Sequence, residues 1–304
     1  MGLTINTDRS FLDKVFFSPD ERRLRAGWRL LIQTILIVFI ALVLSLIFSG
    51  VLIYDDQPYL SRLSSQIIEL LAVGGSIYIA RRFIDKRSFT SLGLNFNRQA
   101  LIDLLLGIAI PGIMMGFIFL VEWSIGWLSF DGFAWQVYPT QQVFSNALLV
   151  IFIFMLVGWN EELLSRGYHL QTIASGTNLA WGIFLSSAVF GVLHLGNPGA
   201  TWISAAGILF AGLFLAYGYL RTGQLWLSIG LHIGWNYFEG TVFGFPVSGF
   251  DFYSLTLITV DGPVLWTGGD FGPEAGLIVL PALLLGTLLI RFVTRDRNPA
   301  LPSR

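Results

Sequence analysis

The chain of 304 residues has no cysteine. That absence excludes a disulfide framework, a thiolate nucleophile and a cysteine-ligated zinc site. Charge is scarce as well, at 12% of residues, where a soluble domain carries about 25%. The net charge is −1, and no basic tract is long enough for a nucleic-acid footprint. Internal repeats, low-complexity tracts and a separable soluble domain are also missing. What is abundant is apolar surface. Hydrophobic residues make up 54% of the chain, with 26 Phe and 10 Trp, and the mean hydropathy is +0.70. One water-soluble core of this length cannot hide that much. The composition therefore predicts a multi-span integral membrane protein and excludes disordered, coiled-coil and collagen-like chains.

A bilayer-crossing helix needs about 20 mostly apolar residues. Eight segments qualify, at 30–54, 63–80, 101–121, 142–160, 179–195, 202–220, 225–242 and 275–293. The first follows a polar, basic stretch from Ser18 to Arg29, is too long for a signal-peptide core and lacks a cleavage pattern. Segments 63–80 and 179–195 are short and rich in Ser and Gly, as expected of helices packed inside a bundle. The predicted fold class is all-α: a polytopic transmembrane helix bundle of about eight spans. It divides into an N-terminal segment 1–29, a membrane-embedded domain 30–293 and a tail 294–304.

Lys and Arg set the orientation. On one side fall Arg9, Lys14, Arg22, Arg23, Arg25 and Arg29, then Arg81, Arg82, Lys86, Arg87 and Arg98, then Arg166, Arg221, Arg291, Arg295, Arg297 and Arg304. These are 17 of the 18 basic residues, and only Arg62 lies opposite. The positive-inside rule places that side, and both termini, in the cytoplasm. The opposite loops carry Asp55, Asp56, Asp131, Asp251, Asp261 and Asp270, which agrees. The polar-leaning stretch 243–274 reads as an ordered extracytoplasmic loop, with Trp266 and Tyr253 near the headgroups, or as a lid over a cavity.

Ionisable groups inside spans cost about 2.5 kcal/mol or more for an Asp at a helix centre, so each is a functional candidate. They are Glu69, Asp103, Glu161, Glu162, His194, His232 and Glu239, with Arg166 and His169 just beyond a span. In Glu161-Glu162-Leu163-Leu164-Ser165-Arg166, Glu162 and Arg166 stand at i and i+4 and can pair. Glu161 points about 100° away, so it is left free for chemistry, as suits a general base. His232 and Asn236 share one helical face, and one polar cavity would satisfy them together with His194. Glu161 and His194 stand 16 and 17 residues either side of Thr177, so two continuous helices would bring them to one height, roughly 24 Å from that turn. His232 lies only 9 residues past Gly223, roughly 14 Å by the same rise. For it to join them, the first hairpin must project about 10 Å further, or a helix must be broken.

The three segments together resemble the CPBP family of intramembrane proteases, which includes CAAX prenyl endopeptidases and Abi-type bacteriocin self-immunity proteins. The family pattern EExxxR, FxxxH, HxxxN/D is met in order by EELLSR at 161–166, FGVLH at 190–194 and HIGWN at 232–236. RSFTSLGL at 87–94 and the basic N-terminal segment also look like those of bacterial members. The similarity covers roughly 140–245, a protease-like core. It implies that Glu161 and His194 activate a water, that His232 and Asn236 donate to an oxyanion, and that Glu162 and Arg166 shape the site. It also implies peptide-bond hydrolysis in a membrane-associated or lipidated substrate, in bacteriocin self-immunity or protein processing, at a prokaryotic plasma membrane. Substrate would enter laterally or from the cytoplasm. Zinc is the alternative chemistry, with Glu161, His194 and His232 as three ligands and an open water position. Other than substrate, the partner expected is membrane lipid, not nucleic acid.

Glu69 and Asp103 are expected in structural pairs, His169 at the membrane interface, and Glu239 at the outer end of the cavity or at a helix end in water. Gly residues in 202–220 are expected to permit close helix packing. The rival reading is a non-catalytic membrane protein, either an immunity scaffold or a small proton-coupled transporter, because intramembrane carboxylates and histidines also mark proton relays.

Overall fold

The computed structural model describes residues 10–18, 23–49 and 58–297. Arg9, Arg22, Arg304, Asp55 and Asp56, and with them parts of the 1–29 segment and of the 294–304 tail, lie outside the described residues. The elements are α1 (Phe11–Phe16), α2 (Ala26–Ile47), α3 (Pro58–Ile79), α4 (Arg98–Ser124), β1 (Leu128–Phe133), α5 (Thr140–Glu162), α6 (Leu170–Gly176), α7 (Leu179–Leu193), α8 (Trp202–Thr222), α9 (Trp226–Asn236), β2 (Thr256–Val260), α10 (Val264–Thr267) and α11 (Val279–Val293). Wide π turns extend three of the helices, at Ala80–Ile84, Leu163–His169 and Tyr237–Val242.

Among the described residues, six helices are long and apolar enough to cross a membrane, and the chain is a multi-pass integral membrane protein. Among the described residues, which leave out 50–54 of the first, each of the eight expected segments holds a helix, but two fall short of a span. The one expected at 225–242 is α9, with 11 residues, plus a π turn of six. The one expected at 275–293 starts only at Val279 and has 15 residues. The first span begins at Ala26 rather than residue 30, because the helix runs on past a buried Arg29 that pairs with Asp85 (3.1 Å) and donates to Ser175 (2.5 Å). The lipid-facing character of α2 is plain: Leu31, Ile35, Phe39, Leu42 and Leu46 are all exposed.

The all-α helix bundle expected from the sequence carries one small addition. β1 and β2 form a two-stranded antiparallel sheet, running from Leu128 opposite Val260 to Phe133 opposite Thr256. It ties the α4–α5 connection to the loop after α9. That loop also packs inward: a Cβ on Gly207 of α8 would stand 1.9 Å from the Glu274 carbonyl oxygen. Only glycine lets the two backbones touch there.

The arginine-rich ends of the helices form one face. Arg81 also pairs with Asp85 (3.1 Å), Arg297 with Asp103 (2.6 Å), and Arg221 donates to the Thr294 carbonyl (2.5 Å). Asp103 thus holds the structural pair expected of it. α9 is gripped by α4 across a glycine seam. Cβ atoms at Gly107, Gly230 and Gly234 would fall 2.5, 2.3 and 2.3 Å from backbone oxygens of the facing helix. Small residues at such a seam let backbones approach closely where lipid offers no hydrophobic drive. Gly212 of α8, as expected, lies against Ser187 of α7.

The depth of His232 is settled by the hairpin before it. α5, its π turn and α6 form one helical run of 37 residues, Thr140–Gly176. That is about 55 Å of helix, against a hydrocarbon core of about 30 Å. Gly167 sits beside Leu225 at the start of α9. The nine residues from there to Gly176 therefore carry the hairpin tip roughly 14 Å past the α8–α9 turn, where Gly176 meets Ala26.

Candidate active site

Glu161 and Glu162 end the regular part of α5, and the π turn starts at Leu163. Such wide turns inside helices recur at functional sites. Arg166 still reaches back to Glu162 (2.7 Å). It also donates to the Gly212 carbonyl of α8 (3.0 Å) and lies 4.5 Å over the Phe190 ring of α7. The carboxylate is also shared with α9: His232 Nδ1 donates to the same Glu162 oxygen (2.9 Å). Glu162 and Arg166 are fully buried. Their link therefore joins four helices around one point, and a buried pair of this kind holds geometry more than it adds stability.

Phe190 explains its own place in the motif. Its carbonyl accepts from His194 Nδ1 (2.8 Å), and its ring packs edge-on to both imidazoles, with centroids at 4.7 and 6.0 Å. A carbonyl can only accept, so His194 carries its proton on Nδ1 and presents the bare Nε2 when neutral. His232, held at Nδ1 by a carboxylate, likewise turns Nε2 away from Glu162.

Both Nε2 atoms face Glu161. Its Oε2 stands 3.7 Å from His232 Nε2 and 3.9 Å from His194 Nε2. These gaps exceed a direct hydrogen bond and fit a bridging water. Glu161 Oε2 is buried with no protein hydrogen-bond partner among the described residues. The group borders a cavity of about 410 Å³ whose wall includes Glu161, His194, His232 and Asn236. The cluster thus assembles four of the six residues singled out in the sequence on one void, with Glu162 and Arg166 directly behind.

The donor types would suit zinc. Tetrahedral bonds of about 2.0–2.1 Å, however, hold ligand atoms roughly 3.3 Å apart, closer than the 3.7 and 3.9 Å found here. Among the described residues no group of three or more His, Asp or Glu side chains is arranged to hold a metal ion.

Other residues fall differently from expectation. Glu69 is not confined to a structural pair, since it lines the cavity. Glu239 neither lines the cavity nor ends a helix in water; it is fully buried, and neither carboxylate oxygen has a hydrogen-bond partner among the described residues. The loop after α9 covers it. His169 is half-buried in the π turn and away from the cavity. Residues that the sequence did not flag as part of a site are Arg62, Asn197, Ser248 and Glu274, all on the cavity wall. Ser248 donates to Glu274 (2.5 Å), and Asn197 to the Ser248 carbonyl (3.0 Å). Burial raises the carboxyl of Glu274 above its ordinary 4.5. No helical period marks Ser248 or Glu274, and only the buried turn that carries them gives them a role.

The fold and this cluster define a polytopic membrane protein with an acid–imidazole site sunk among its helices. Residues 143–238 match the family described as Type II CAAX prenyl endopeptidase Rce1-like. The resemblance read from the three motifs thus coincides with a family match over that segment, about a third of the chain, which holds Glu161 through Asn236. Ser248 and Glu274 lie beyond it. No curated protein and no solved structure matches the chain.

Proposed function

We propose that the protein is an intramembrane endopeptidase that hydrolyses a peptide bond with a water activated by Glu161 and His194. The observation that carries this reading is the placement of Glu161 Oε2, unpartnered and facing two imidazole Nε2 atoms at the edge of a cavity. A water in that gap donates one hydrogen to Glu161 and the other to His194 Nε2, leaving a lone pair aimed into the void. As the water oxygen bonds to the peptide carbon, its proton passes to Glu161 and negative charge gathers on the carbonyl oxygen. Asn236 and His232 stand on one face of α9 to receive that oxyanion. His232 donates from Nε2 only as an imidazolium, because Nδ1–H is committed to Glu162, whose carboxylate stabilises that cation. Collapse breaks the C–N bond, and the proton on Glu161 leaves with the amine.

The substrate would be a membrane-associated or lipidated peptide, as the CAAX label of the matched family suggests. Bacteriocin self-immunity or protein processing at a prokaryotic plasma membrane would be the setting. The test is cleavage of membrane peptides by purified protein. Glu161→Gln keeps the shape and should lower turnover by about 10²–10⁴-fold, the usual weight of a general base, while the melting temperature in detergent stays put. Full function in Glu161→Gln would leave the immunity-scaffold reading. Cleavage should also survive a chelator; loss with chelator and recovery with zinc would overturn the metal-free mechanism.

A further inference from the structure

We infer that the cavity is entered from the face opposite the arginines, so that its substrate is a peptide segment on the extracytoplasmic side of the membrane. The word substrate rests on the hydrolase reading; the direction of entry does not. Arg25, Arg29, Arg81, Arg98, Arg221 and Arg297 gather at one end of the bundle, and the positive-inside rule makes that end cytoplasmic.

Between that end and the cluster lies a packed floor. Glu162, Leu163, Tyr168, Leu170, Tyr219 and Ile229 are each at most 2% exposed, and all but Glu162 belong to one apolar core. Interiors of this density leave no path for water, still less for a peptide. A second cavity, of about 450 Å³, does open on the arginine face, beside Asn97, Asp103 and Arg297. It shares no wall residue with the first. Of the two routes expected from the sequence, lateral and cytoplasmic, the cytoplasmic one is thus closed.

The cavity continues the other way. Its wall runs from His194 through Asn197 and Ser248 to Ser65, Arg62 and Phe250, towards the end of the bundle that bears the β1–β2 sheet. Ser65 and Phe250 are exposed. Arg62 spans the mouth from α3: it donates to the Asp251 carbonyl (3.1 Å) and stacks over Phe252 and Phe250 at 4.5 and 5.3 Å. The loop that caps the site is therefore latched to α3 by the Arg62 side chain, with Tyr59 of the same helix packed on it, beside the exposed part of the wall.

The natural absence of cysteine makes the full chain a ready background for single-cysteine labelling. Ser65→Cys reports the cavity mouth, Ser129→Cys the sheet end and Thr177→Cys the tip of the α6–α7 turn. Intact cells are treated with a membrane-impermeant maleimide, before and after permeabilisation. Ser65→Cys should label in intact cells as Ser129→Cys does, and Thr177→Cys only after permeabilisation. Labelling of Ser65→Cys in step with Thr177→Cys, or no labelling of it while both controls react, would overturn the inference. Reversed controls would overturn it too. The readout needs no turnover, so a failed peptidase assay and a failed entry route are told apart.

Discussion

Glu162 has its charge met twice, by Arg166 at 2.7 Å and by His232 at 2.9 Å, and this frees Glu161 beside it. Arg166→Ala should cost about 3–5 kcal/mol, because it strands a buried carboxylate; chemical unfolding in detergent would read it. Pairing Arg166→Met with Glu162→Gln removes both charges and should recover most of that loss without recovering turnover. Glu274 offers a different test. Its folded carboxyl holds a proton above 4.5, so the folded chain binds more protons than the unfolded one there. Stability must then fall as pH rises through that interval. Glu274→Gln cannot ionise and should flatten the decline in a melting series against pH; an unchanged slope would remove Glu274 from the account. Legibility at this scale followed charge. Glu161, Glu162, Arg166, His194, His232 and Asn236 stood out because each is costly in hydrocarbon and falls in a fixed spacing. Ser248 and Glu274 did not, because their burial comes from tertiary packing of an irregular loop on Gly207.

At the scale of elements, hydropathy located the long apolar helices yet overrated two of them as spans. α9 carries a polar residue or glycine at every second position from Ser228 to Asn236, and its residues from Leu227 on are all buried, so its apolar content reflects burial in protein, not a lipid-facing span. The sheet was unreadable because β1 and β2 lie far apart in sequence and each is short. The glycine seam can be tested directly. Gly230→Ala places a methyl 2.3 Å from the Leu104 carbonyl oxygen and should destabilise by about 1–3 kcal/mol through overpacking, with loss of turnover. Gly74 has open space around its would-be Cβ. Gly74→Ala should therefore be neutral or stabilise by up to about 1 kcal/mol. Equal melting temperatures for the two variants would refute the seam.

For the molecule as a whole, the distribution of arginines gave orientation, and the structure shows that several of them are interior ties between helix ends rather than solvated charges. A fluorescent protein fused after Arg297 should therefore emit, and a phosphatase that needs disulfides should stay inactive there, since those bonds persist only outside the cytoplasm. The reverse pattern would invert the topology. The brevity of α9 also bears on biogenesis. A run of 11 residues with a histidine and an asparagine is too short and too polar to partition into lipid unaided. During synthesis it must wait for α4, made more than a hundred residues earlier, to offer its groove. Half of the reactive constellation thus arrives only with the final stages of insertion, and a nascent chain stays inert until then.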